Sequence, residues 1–148
     1  MTAAVMAVLL AVIQQQPSAA QKPLSGQPCS GSELVGTWQL IEAQGQAFKS
    51  DGQTAYKHVT PTHFIVLNVD STGLAAYAHG GPYTVSAGTY IESIRQGVGP
   101  TFAALRGLKG EFQCRTEGDR WHIVGKVVGA AGGGDLDETW RRVTEDKE

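Results

Sequence analysis

Leu34-Val35-Gly36-Thr37-Trp38-Gln39-Leu40 sets Leu34, Gly36, Trp38 and Leu40 against polar Thr37 and Gln39 at a period of two. That period belongs to a strand with one face buried and one wet. Working outward, Thr60 to Asp70 is rich in β-branched and aromatic residues and closes in the turn Asp70-Ser71-Thr72-Gly73. Leu74 to His79 returns and is broken by Gly80-Gly81-Pro82, with Pro82 expected at a strand start or edge because it has no N–H for a ladder. Tyr83 to Val85 and Thr89 to Arg95 read as a hairpin around Ser86-Ala87-Gly88. Gln96 to Arg106, holding Gly97, Gly99 and Pro100, reads as a loop with at most one helical turn. Leu108 to Thr116 and Trp121 to Val128 flank the turn Glu117-Gly118-Asp119-Arg120, and Leu136 to Val143 follows the flexible connection Gly129 to Gly134. Short strands at close spacing with almost no helix predict an all-β fold, a single antiparallel eight-stranded up-and-down barrel, because closure removes exposed edges.

A chain of 148 residues with 41% hydrophobic side chains has one core. A formal charge of −2, with its 12 Lys and Arg scattered, lacks the basic excess of a nucleic-acid or anionic-membrane binder. Residues 1–20 carry no charged side chain, and their apolar run from Ala3 to Ile13 is too short for a bilayer, which takes about 20 residues. Small Ser18 and Ala20 suit a cleavage after Ala20, so the segment reads as a signal peptide for a periplasmic or secreted protein; a misplaced start or an N-terminal helix is the alternative. Gln21 to Ser32 reads as a linker without structure of its own, residues 33–144 as the barrel domain and 145–148 as a charged tail. Cys29 and Cys114 either pair in an oxidising compartment or stay free, since sequence gives no distances.

The opening Leu34-Val35-Gly36-Thr37-Trp38-Gln39-Leu40 resembles the Gly-x-Trp first strand of the lipocalins and fatty-acid-binding proteins, and Glu138-Thr139-Trp140-Arg141-Arg142-Val143 resembles their last strand. Lys57-His58-Val59-Thr60-Pro61-Thr62-His63-Phe64, with Gly80-Gly81-x-Tyr83-Thr84 and Gly88-Thr89-Tyr90-x-Glu92, is similar to the uncharacterised bacterial lipocalin-like proteins. The resemblance implies a calycin-type barrel with an internal pocket, and a basic residue packed over the first-strand tryptophan. Alternation puts Trp140 and Arg142 on one face, so Arg142 is the expected partner of Trp38, beside Gly36.

Asn68 and Asp70 suggest that even positions of their strand face water, which turns His63, Ile65, Leu67 and Val69 inward. With Tyr90 and Glu92 also inward, and Tyr77 and His79 joining from the strand between, a polar group would stand in the barrel. A buried carboxylate beside an imidazole must be hydrogen-bonded or shift its pKa, which marks a candidate site; the bland alternatives are a satisfied pair or exposure to solvent. No metal or cofactor is expected. His58 and His63 fall on opposite faces of a continuous strand, His122 shares the parity of Lys126, and no Cys/His spacing resembles a zinc site. No Gly-x-Ser-x-Gly occurs, and the glycines of 129–134 precede neither Lys-Ser/Thr nor a helix, so no catalytic residue is named. The expected function is an exported barrel holding a small, largely apolar molecule, with His63, Tyr90, Glu92, Tyr77 and His79 as anchors. The alternatives are an isomerase or cyclase moving a proton through Glu92 or His63, or a structural domain with no ligand.

Overall fold

The computed structural model of the chain describes residues 24–48, 52–129 and 132–144. The expected signal peptide, residues 21–23 of the linker and the charged tail at 145–148 lie outside the described residues. In chain order the elements are β1 (Gln27–Pro28), a 3-10 turn (Ser32–Leu34), β2 (Gly36–Ala43), β3 (Gln46–Ala47), β4 (Thr54–Val59), β5 (His63–Val69), β6 (Ala75–Ser86), β7 (Thr89–Ser93), β8 (Gln96–Val98), α1 (Pro100–Leu105), β9 (Lys109–Glu117), β10 (Arg120–Gly129) and β11 (Gly132–Arg142). Eight of these strands close an antiparallel barrel in the order β2, β4, β5, β6, β7, β9, β10, β11 and back to β2; β1, β3 and β8 lie off that circuit. The architecture is compatible with a calycin-like fold. Among the described residues no helix is long and apolar enough to cross a membrane.

The number of barrel strands matches the expectation, but two differences cancel in it. Thr54–Val59, where no strand is expected, is β4: Ala55, Lys57 and Val59 point inward and Thr54, Tyr56 and His58 outward. A lysine on the inner face hides the alternation, because apolar periodicity is what marks a strand. Conversely, the two strands expected at Leu74–His79 and Tyr83–Val85 are one, β6, running through Gly80-Gly81-Pro82. One edge of β6 pairs with β5 from Ala75 to Pro82, while its other edge changes partner from β8 at Ala78–Gly80 to β7 at Tyr83–Ser86. Tyr83 N–H points to β5, where it donates to Thr62, so the ring nitrogen of Pro82 faces the gap between β8 and β7 and no ladder bond is lost.

One barrel end is shut by the resemblance residues. The Arg142 guanidinium lies 4.1 Å from the Trp38 ring centroid and donates to the carbonyls of Val35 and Glu33. Trp38 Nε1 donates to Leu34 O at 2.8 Å. Gly36 has φ +139°, a conformation that favours glycine, and a Cβ there would stand 2.6 Å from Arg142 Nη1, so any other residue would be strained and would push the guanidinium aside. A disulfide joins Cys29 to Cys114 with Cα atoms 5.5 Å apart, and β1 pairs with Thr116 and Arg115 of β9. The last part of the segment expected to be an unstructured linker is thereby a strand fixed to the barrel wall. The other end, the mouth, carries the β5–β6 turn, the ends of β10 and β11, and the excursion between β7 and β9. That excursion is clamped at its base where Ile94 N–H donates to Leu108 O at 3.0 Å, and its helix α1 turns Phe102 and Leu105 against the core.

Candidate functional site

Register fixes what faces the barrel interior. Trp38 stands opposite Lys57, Lys57 opposite Val66 and Val66 opposite His79; Asn68 stands opposite Tyr77, and Tyr83 opposite Glu92. On β5 it is therefore Phe64, Val66 and Asn68 that point inward. His63 lies on the outer face, exposed, within hydrogen-bonding distance of Thr62 Oγ1 at 2.9 Å, and takes no part in the interior group. The inverted parity traces to Asn68: a polar side chain at the end of a strand reads as solvent-facing, but this one is buried and hydrogen-bonds the Tyr77 hydroxyl. Glu92 and His63 thus stand on opposite sides of the barrel wall and form no acid-base pair.

Towards the closed end the interior is solid. Trp38, Trp121, Trp140, Tyr90, Phe64 and Phe112 are all buried, and in their midst lies the Lys57 ammonium. Its Nζ is 4.7 Å from the Trp140 ring centroid, 5.0 Å from Trp121, 5.7 Å from Tyr90 and 5.8 Å from Phe64. Glu92 Oε1 accepts from Lys57 Nζ and from the Tyr90 hydroxyl, both at 2.8 Å. Lys57 and Glu92 are 2% and 5% exposed, so the pair is sealed from solvent. Burial, with Glu92 beside it, pushes the Tyr90 hydroxyl well above its ordinary range, so it keeps its proton and serves as donor. Four aromatic faces and a hydrogen-bonded carboxylate satisfy an ammonium that would otherwise be very costly to bury.

Towards the mouth the inward-facing side chains are different. Ala43, Tyr77, His79, Leu136 and Glu138 are only partly buried, so this end of the interior is less tightly filled than the closed end. Tyr77 and His79 stack with centroids 6.1 Å apart, and Phe64 meets the His79 ring edge-on at 6.3 Å. His79 Nδ1 is buried and has no hydrogen-bond partner. Burial, aided by the Lys57 charge and opposed by Glu92, lowers the His79 pKa to about 4, so the ring is neutral near pH 7. Glu138 faces inward from β11, and Trp140 Nε1 donates to its Oε2 at 3.0 Å. Burial and the neighbouring Glu92 charge raise its pKa, with Lys57 opposing. Burial and then the charge of Glu138, which stands four strands around the barrel on β11, also raise the Tyr77 hydroxyl.

Of the residues expected at the site, the structure brings Tyr90 and Glu92 together in the sealed half and Tyr77 and His79 together in the open half. Lys57, Asn68 and Glu138 were not anticipated. For Glu138 the signal was present, because the alternation that puts Trp140 and Arg142 on one face puts Glu138 there too. For Lys57 no local signal exists. The remaining histidines face out: His58 contacts Thr37 Oγ1 at 3.1 Å, and His122 contacts Asp137 Oδ1 at 2.7 Å. Among the described residues no three His, Cys, Asp or Glu side chains are grouped to hold a metal. Comparison of the sequence with protein-family models finds no match, and comparison with curated proteins finds none either.

Proposed function

We propose that the chain is an exported, lipocalin-like barrel that holds one small, largely apolar molecule in the half of its interior nearest the mouth. The observation that carries this reading is His79 Nδ1, a buried ring nitrogen without a protein partner, stacked beside a Tyr77 that is only partly buried. Buried polar atoms are nearly always hydrogen-bonded, and a bound molecule with one polar group would supply the missing bond. The wall around it is aromatic and aliphatic, from Tyr77, Phe64 and Val66, which matches pockets that are mostly apolar with few polar anchors. The expected anchors narrow to His79 and Tyr77, with Glu138 added, while Tyr90 and Glu92 form the floor with Lys57.

Native mass spectrometry of protein purified from its own host tests the reading. One retained molecule per chain is expected, and its occupancy should drop when His79→Phe fills the lumen wall. Protein that is uniformly empty, and that takes up no apolar fluorophore such as N-phenyl-1-naphthylamine, would overturn it.

A further inference from the structure

The interior charges do not balance. Arg142 is spent at the closed end on carbonyls and the Trp38 face. Above Trp38, the described inward-facing side chains supply one ammonium, Lys57, and two carboxylates, Glu92 and Glu138. Lys57 is bonded directly to Glu92 and enclosed by four rings, so although its charge is felt at Glu138, no cation among the described residues pairs with Glu138 directly. Glu138 receives one hydrogen bond, from Trp140 Nε1, and faces inward, partly buried, from β11, four strands around the barrel from the β6 that carries Tyr77 and His79. His79 is neutral there, and its unpaired Nδ1 is an acceptor in the Nε2–H tautomer.

We infer that the polar end of the ligand is a protonated amine or a similar N–H-rich cation, bound by the Glu138 carboxylate with the His79 imidazole as second acceptor and the Tyr77 ring alongside. This deepens, and rests on, the reading of the barrel as a small-molecule binder. A ligand carboxylate would raise the interior to three negative charges against one positive, and in a partly dry site that imbalance is severe. An ammonium instead makes two of each. It also gives the orphaned imidazole nitrogen a hydrogen to accept, and an aromatic face beside it strengthens cation binding.

The test is calorimetric titration at neutral pH with three probes of equal chain length, octylamine, octanol and octanoate, on the wild-type chain and on Glu138→Gln. The expected result is octylamine at least ten times tighter than octanol, octanoate weakest, and the amine's advantage gone in Glu138→Gln while octanol binding persists. Retained octanol affinity shows that the variant is folded and its lumen intact; if the variant binds neither, the wild-type ranking alone decides. Octanol or octanoate at least as tight as the amine would overturn the cation inference and leave the binder reading standing. No binding of any of the three would bring down both.

Discussion

The two halves of the barrel interior solve the problem of buried polarity in different ways. Near the closed end the buried polar groups of the described residues are partnered: Lys57 with Glu92, Tyr90 with Glu92, and the Trp121 indole with Cys114 Sγ at 3.1 Å. Near the mouth His79 Nδ1 has none, and Glu138 keeps a raised pKa because burial is not offset by a direct cation. A packed, satisfied region holds a fold together, and an unsatisfied, accessible one is where a ligand gains most by arriving. The contrast puts the satisfied, stabilising contacts in the lower half and agrees with the proposal of binding in the upper.

That division is broken most directly in the lower half. Trp38→Ala removes the ring under Arg142 and should cost about 3 to 5 kcal/mol in chemical denaturation, the usual range for deleting a large core aromatic. Glu92→Ala strands a buried ammonium and should cost a similar amount, about 3 to 5 kcal/mol. The double change Lys57→Met with Glu92→Met should recover most of that loss, since replacing a whole buried pair by apolar groups is often near neutral. A double variant as unstable as Glu92→Ala alone would show that the pair contributes more than mutual satisfaction. Reducing the disulfide, which closes a loop of 85 residues, should cost about 2 to 4 kcal/mol and free β1 from β9. Equal melting curves with and without reductant would remove β1 from the stabilising half.

These effects also show what the sequence could and could not reveal. Trp38, Gly36 and Arg142 were legible because their alternation and their resemblance agree, and Tyr90 and Glu92 because parity along β7 is unbroken. Lys57 and Asn68 were not, because reading period two assumes that polar residues face water. Each is polar and buried, with partners 35 residues away in Glu92 and on the neighbouring strand in Tyr77. The inversion of β5 that displaced His63 follows from reading Asn68, which is buried, and Asp70, which lies beyond the strand's end, as solvent-facing strand positions. Long-range partners, not local pattern, decide where these side chains go, and the interior site is built from such partners.

Smaller effects belong to the mouth half. The folded His79 pKa of about 4 lies below its ordinary 6.5, so between those values the unfolded chain binds the extra proton. Stability is therefore full above pH 6.5 and falls as the pH drops toward 4, by about 1 to 2 kcal/mol for a partly exposed ring. Replacing His79 by Phe should flatten that acid limb; an unchanged pH dependence would mean that His79 is not the group responsible. Glu138 works with the opposite sign, since a raised carboxyl pKa makes the folded state lose stability as pH rises through and above the ordinary 4.5. Glu138→Gln removes a poorly compensated charge and should leave stability at neutral pH unchanged or raise it, by less than about 1 kcal/mol. A loss as large as that of Glu92→Ala would place Glu138 in the structural half instead.

The chain's 3 tryptophans report on the two halves separately, because each indole N–H has its own acceptor: Leu34 O for Trp38, Cys114 Sγ for Trp121 and Glu138 for Trp140. A proton–nitrogen correlation spectrum, recorded while the apolar fluorophore N-phenyl-1-naphthylamine is titrated in, follows all three indoles and the His79 ring together. The predicted result is that the Trp140 indole and the His79 nitrogens move in a saturable, one-to-one manner while the Trp38 and Trp121 indoles stay in place. Movement confined to Trp38 and Trp121, or no saturable movement at any of these groups, would contradict the assignment of binding to the mouth half.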